Sequence, residues 1–177
     1  MEYLLRAVPR VLARHPAEFV ITGDGDQRAR LEAMARTLGL GDSVRFVGFL
    51  SNEQLEAEYA SCDIWVNPAI VDDRGDTEGL GVGAIEAYIH HKPVVASAVG
   101  GIPDAVRDGV TGLLVPEKDE TRLAEAILEF LDNPARAAEM AAAGFRFAQE
   151  QFDWERITQR LEGLYRGLLE SRACPPH

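Results

Sequence analysis

Between Phe19 and Val115, short β-branched runs alternate with stretches of helical spacing, and this alternation sets the fold class. Phe19-Val20-Ile21 and Val94-Val95 are apolar at consecutive positions, as strands buried on both faces require. A strand that leads through a helix into the next strand pairs in parallel, because parallel neighbours need a crossover. The spacing predicts strands over 18–22, 44–48, 64–67, 93–96 and 111–115. Helices are expected over 2–14, 26–38, 51–60, from Gly79–Gly81 to His90, and as a single turn over 103–107. Beyond Glu120 the pattern is purely helical, over 120–131, 134–150 and 154–169. The expected architecture is α/β: an open, doubly wound parallel sheet over residues 1–132, C-terminal helices over 133–170, and a disordered tail over 171–177.

Local signals sharpen the boundaries. His15-Pro16 ends the first helix, since a residue before proline is pushed out of the α region. Ser51-Asn52-Glu53-Gln54 has the form of a reciprocal N-cap, and Gly39 that of a C-cap. Trp65 and Trp154 read as packing residues, and His90 and His91 as helix-terminal caps.

The chain carries 29 acidic and 18 basic residues, a net charge of −11. That bias disfavours nucleic acid, whose phosphates are bound chiefly by Lys and Arg. It leaves nucleotides open, because backbone amides at a helix N-terminus hold an anion without side-chain cations. No run approaches the roughly 20 apolar residues that span a bilayer. Cys62 and Cys174 are no disulfide framework, so a cytoplasmic setting is expected.

In open α/β sheets, ligands sit beyond the carboxyl ends of the strands. This directs attention to Gly23-Asp24-Gly25, Gly48-Phe49-Leu50, the stretch from Pro68 to Glu86, and Ser97 to Gly101. Gly79, Gly81 and Gly83 would weaken a helix interior, but before or at its first turn they let backbone N–H groups approach a diphosphate. Glu78 and Glu86 flank them, and a carboxylate can accept from both hydroxyls of a vicinal diol, as sugars and ribose present. Gly23-x-Gly25 taken alone is a turn, and without a third glycine it does not make a dinucleotide fingerprint. Asp72, Asp73 and Asp76 do not have the spacing of a calcium loop.

The segment Glu78 to Glu86 resembles the E-x7-E signature of retaining glycosyltransferases of family 4, which have the GT-B fold. Its flanks agree: Val20-Ile21-Thr22-Gly23-Asp24-Gly25, Val44-Arg45-Phe46-Val47-Gly48, Lys92-Pro93-Val94-Val95-Ala96-Ser97, Val99-Gly100-Gly101-Ile102-Pro103-Asp104 and Asp108 to Pro116. The resemblance implies a Rossmann-like domain, the C-terminal half of such an enzyme, binding a UDP- or GDP-sugar. It implies a catalytic-site role for Glu78 beside the transferred sugar, and ribose binding by Glu86. Gly79, Leu80 and Gly81 would contact the diphosphate; Gly23, Phe49 and Leu50 would also line the donor site, the last two near the base. No metal is expected, and the acceptor would be a lipid, a glycan or a small molecule, with peripheral membrane association of the full enzyme.

The resemblance also defines what is not present. The family's domain opens with a strand, followed by an Arg and a Lys that clamp the diphosphate, whereas Met1-Glu2-Tyr3-Leu4 already reads as the following helix. Loss of a central strand would leave two unpaired edges, and the acceptor-binding N-terminal domain has no counterpart. A fragment of a longer protein is therefore expected, inactive alone. Two other readings stay open: a module that binds a nucleotide or partner without catalysis, and a GT-B-fold epimerase or phosphorylase.

Overall fold

The computed structural model, which describes residues 1–173, contains the foreseen elements in the foreseen order. They are α1 (Glu2–Leu12), β1 (Phe19–Thr22), α2 (Arg28–Thr37), β2 (Val44–Gly48), α3 (Asn52–Ser61), β3 (Trp65–Asn67), α4 (Val82–Ile89), β4 (Val94–Ser97), α5 (Ile102–Ala105), β5 (Gly112–Val115), α6 (Glu120–Asp132), α7 (Pro134–Gln151) and α8 (Trp154–Ala173). A 3-10 turn over Gly41–Ser43, not anticipated from the sequence, leads into β2.

The caps explain several boundaries. Ser51 Oγ accepts from the Gln54 amide at 3.3 Å, while Gln54 Oε1 accepts from the Ser51 amide at 2.9 Å. Each group satisfies a donor that the start of α3 leaves free. Ser51→Ala is expected to cost about 1 kcal/mol, lowering the calorimetric unfolding midpoint by about 3 °C; an unchanged midpoint would refute the cap's contribution. After α2, Gly39 adopts φ +68°, and the Leu40 amide reaches back to the Ala35 carbonyl. The same left-handed closure ends α4, but there His91 occupies it at φ +54°, and its ring stacks on Phe145.

All strand pairing is parallel, and the sheet is divided in two, with the two unpaired edges that the resemblance led us to expect. β1 pairs with β2, Phe19 opposite Val44; β3, β4 and β5 form the other sheet, Trp65 opposite Val94 and Val94 opposite Gly112. Among the described residues no ladder joins β1 to β3. Between them lies a slot of about 450 Å³, with β1 on one side, Trp65 and Val66 of β3 on the other, and Leu4, Tyr59 and Ile127 among the remaining walls.

A major tie between the half-sheets is α1, with Phe19 of β1 packed against the cores on both sides. Leu4, Ala7 and Val11 join a core with Val95, Leu113, Val115 and α6 residues such as Phe130. Leu5 and Val8, on the adjoining stripe, join Ile21, Ala35, Leu40 and Val44. A third core forms around α4 and β4, where Gly144 of α7 lies directly on the Tyr88 ring.

The C-terminal region departs from expectation in two respects. α8 runs to Ala173, so residues 171–173 of the expected tail are helical; residues 174–177 lie outside the described residues. Trp154 is 79% exposed rather than packed, because α8 makes its main contacts with α7 and leaves Leu161, Leu164 and Leu168 exposed as well. No helix among the described residues is long and apolar enough to cross a membrane.

Candidate functional site

Parallel pairing brings the carboxyl ends of strands together within each half-sheet, and the expected site residues fall into two groups there. The first follows β1 and β2. Gly23, at φ +93°, donates its amide to the Gly48 carbonyl at 2.7 Å, so the two turns are stitched together. Arg28 braces them, donating to the Phe46 carbonyl at 3.2 Å and to Glu32 at 2.8 Å. Phe49 follows, 87% exposed, an apolar side chain open to a planar ligand, and Leu50 is half-buried.

The second group follows β3 and β4. The long loop after β3 is shaped by its own acid: Asp72 Oδ1 accepts from the amides of Arg74 at 2.8 Å and Asp76 at 2.9 Å. Glu117, after β5, accepts from the Val71 amide at 2.8 Å and ties the loop after β3 to the end of β5, two strands away across β4. Glu78, Gly79 and Leu80 then form an exposed stretch. They rest on the Gly100-Gly101 turn after β4, where the Gly101 amide approaches the Glu78 carbonyl at 3.4 Å. A side chain on either glycine would drive into the Glu78 or Gly79 carbonyl oxygen.

The glycines of the motif have different jobs. Gly81 is the N-cap of α4, in the left-handed region at φ +75°, buried against Ile102. A Cβ there would be strained whatever the space, so Gly81 turns the loop into the helix. Gly83, in the first turn, packs on Trp65, whose ring would stand 2.6 Å from an added Cβ. Gly79 is exposed and has open space where a side chain would stand, while its carbonyl is seated on Gly101. Helix α4 begins at Val82, which places Glu86 in its second turn, exposed, four residues after the N-terminal position.

Glu86 is not free-standing. The Tyr59 hydroxyl, from α3, donates to Glu86 Oε2 at 2.8 Å, and the Tyr59 ring stacks on His90 with centroids 5.2 Å apart. Burial, and then the carboxylate beside it, push the Tyr59 phenol well above its usual range, so it remains a neutral donor. Tyr59 and Glu117 are site features the sequence did not reveal, whereas the Ser97 to Gly101 segment was expected at the site, without its contact with Glu78 and Gly79. Only the glycine pair carried a local signal; Tyr59 stands in a mostly polar helix whose spacing marks no particular face. Glu78 and Glu86 thus frame one loop, and no hydrogen bond joins that loop to the Gly23 and Phe49 group.

The arrangement suits an anion with a polyol at each end: exposed amides at a helix start, with a carboxylate on either side. Comparisons with known proteins point to the same chemistry. Residues 1–133 match the family model described as "Glycosyl transferases group 1". The GDP-mannose-dependent alpha-(1-6)-phosphatidylinositol monomannoside mannosyltransferase of Mycolicibacterium smegmatis is 35% identical over 173 residues, which is 97% of this chain and 45% of that protein. Among solved structures, sucrose-phosphate synthase from Thermosynechococcus elongatus superposes with a TM-score of 0.77 at 33% identity, covering 96% of this chain and 43% of the other. The Anabaena protein HepE in complex with UDP-glucose gives 0.77 at 26% identity, covering 94% and 45%. This chain spans less than half the length of each, and its fold is the Rossmann-like C-terminal half of GT-B glycosyltransferases. From its matched residues and its site, the chain belongs to the group 1 glycosyl transferases.

Proposed function

We propose that this chain is the donor half of a retaining glycosyltransferase, holding a UDP- or GDP-sugar at the loop from Glu78 to Glu86. The observation that carries the reading is the exposed Glu78-Gly79-Leu80 stretch, supported on Gly100 and Gly101 and followed by a helix that presents Glu86. In this reading the diphosphate lies against the backbone of Gly79 and Leu80 and the first-turn amides of α4. Glu86 accepts from the ribose hydroxyls, the exposed Phe49 ring and Leu50 meet the base, and the Gly23 turn borders the site. Glu78 stands beside the transferred sugar. The bond from the sugar's anomeric carbon to the diphosphate oxygen breaks, and the acceptor oxygen bonds to the same face of that carbon. The acceptor's proton passes to the departing diphosphate. Amide dipoles and cationic groups stabilise that leaving group, with no metal required.

The rest of the site belongs to the longer protein in this proposal. A preceding segment supplies a strand that fills the slot between β1 and β3 and brings basic residues to the diphosphate; an N-terminal domain reads a lipid, glycan or small-molecule acceptor. The enzyme acts in the cytoplasm, at the inner face of a membrane where the acceptor is a lipid. The mannosyltransferase relative uses GDP-mannose by its name, and HepE is seen with UDP-glucose, which keeps both bases in view.

Saturation-transfer NMR of the 177-residue chain with millimolar UDP-, GDP- and ADP-sugars tests this directly. Transfer to the ribose protons of a UDP- or GDP-sugar is expected, and Glu86→Ala should weaken binding at least about tenfold, as loss of charge-assisted hydrogen bonds implies. Absence of transfer from every nucleotide sugar would overturn the proposal.

A further inference from the structure

We propose that Tyr59 is a positioning residue that presets Glu86 to recognise the vicinal hydroxyls of a ribonucleotide. The inference rests on the reading of Glu86 as a ribose ligand and adds a residue on another helix. Glu86 is exposed on α4, where an unrestrained glutamate samples many rotamers and its terminal carboxylate torsion is broad. Here one oxygen is held. The Tyr59 hydroxyl stands 2.8 Å from Glu86 Oε2 and 3.4 Å from the Gly83 carbonyl, so its single proton goes to the charged and nearer acceptor.

The phenol itself cannot swing away. Tyr59 is 8% exposed, sits in the core formed by α4 and β4, and lies flat against His90 with 3° between the rings. Its raised pKa keeps the proton in place through the physiological range. With Oε2 anchored from the protein side, Oε1 is left to solvent with both lone pairs, and Oε2 retains one. The cost of ordering the carboxylate is met before ligand arrives, which is the basis of preorganised affinity. That advantage applies to a ligand with two hydroxyls in reach of the carboxylate and is mostly forfeited by one lacking the 2′-hydroxyl.

The test compares UDP with 2′-deoxy-UDP, and GDP with 2′-deoxy-GDP, on the full 177-residue chain by ligand-observed NMR titration. Wild type should favour the ribonucleotide at least about tenfold, as a lost charge-assisted hydrogen bond implies. Tyr59→Phe keeps the ring and should reduce that preference to about twofold, leaving the deoxynucleotide's affinity nearly unchanged. Glu86→Ala removes the acceptor of the Tyr59 hydroxyl and the ribose ligand together and should abolish the preference, with Tyr59→Phe adding little on top of it. A Tyr59→Phe protein with undiminished preference, or with both nucleotides weakened equally, overturns the positioning role. Wild type that binds both nucleotides alike removes Glu86 as the ribose ligand, and this inference with it. Wild type that binds none overturns the donor-half reading as a whole.

Discussion

Gly101→Ala should abolish nucleotide-sugar binding and lower the unfolding midpoint by about 10 °C. The methyl group would have to occupy space already filled by the Gly79 carbonyl oxygen, a backbone atom with no rotamer to change. Either the turn after β4 or the loop from Glu78 to Leu80 must move. Overpacking of this sort costs about 3 kcal/mol at its upper end, and for a chain of this size each kcal/mol shifts the midpoint by roughly 2–4 °C. If the loop yields instead, more stability is kept, but Glu78, Gly79 and Leu80 leave their places. Binding is lost on both routes, so the discriminating measurement is nucleotide-sugar titration beside calorimetry. An alanine variant that binds as wild type does would show that the loop's seat on Gly101 is irrelevant to the site.

The second large effect concerns the slot. Joining to Met1 an extended segment of about seven Val, Ile and Leu residues, followed by a short turn of the length usual between strand and helix, should raise the midpoint by about 10 °C. Such a segment would pair with β1 on one side and β3 on the other. Burial of about seven apolar side chains at roughly 2 kcal/mol each and about six ladder bonds at ~1 kcal/mol each exceed the ordering of about ten residues at roughly 1.5 kcal/mol each by a few kcal/mol. Hydrogen exchange should slow together at Phe19–Thr22 and Trp65–Asn67, the two facing edges. Proline at the centre of the segment should cancel the gain, because it removes a ladder donor. A midpoint and exchange pattern unmoved by the extension would mean that the slot does not take a strand. Concentration-dependent dimerisation of the unextended chain would instead assign the exposed edges to self-association.

Most of this fold was legible because its signals are local. The apolar runs of β1 and β4, the reciprocal cap at Ser51 and the left-handed Gly39 all act within a few residues, and each appears where the spacing puts it. The division of the sheet was legible only through family resemblance, since strand order is a matter of which distant segments meet. Trp154 misled because a large apolar residue at a helix start ordinarily seeks cover, and nothing local reveals that α8 packs so sparsely, chiefly on α7. In the site, the glycine-rich loop and its two carboxylates stood out by composition. Tyr59, 27 residues before Glu86, did not, because the contact depends on how α3 and α4 pack across β3. Within the motif the glycines differ in setting: Gly79 is exposed, Gly81 is a buried turn and Gly83 a seat for Trp65.

The position of α1 has a consequence for how the chain breathes. Its two apolar stripes are a major tie between the pair of strands at one side and the three at the other, and no shared ladder crosses from one to the other. Cooperativity between the halves is therefore carried by side-chain packing rather than by backbone hydrogen bonds. The β1–β2 unit, with its smaller core, is suited to open as a separate foldon while the β3–β5 unit persists. The turns that carry Gly23 and Phe49 belong to that looser unit, and those that carry Glu78 and Glu86 to the firmer one.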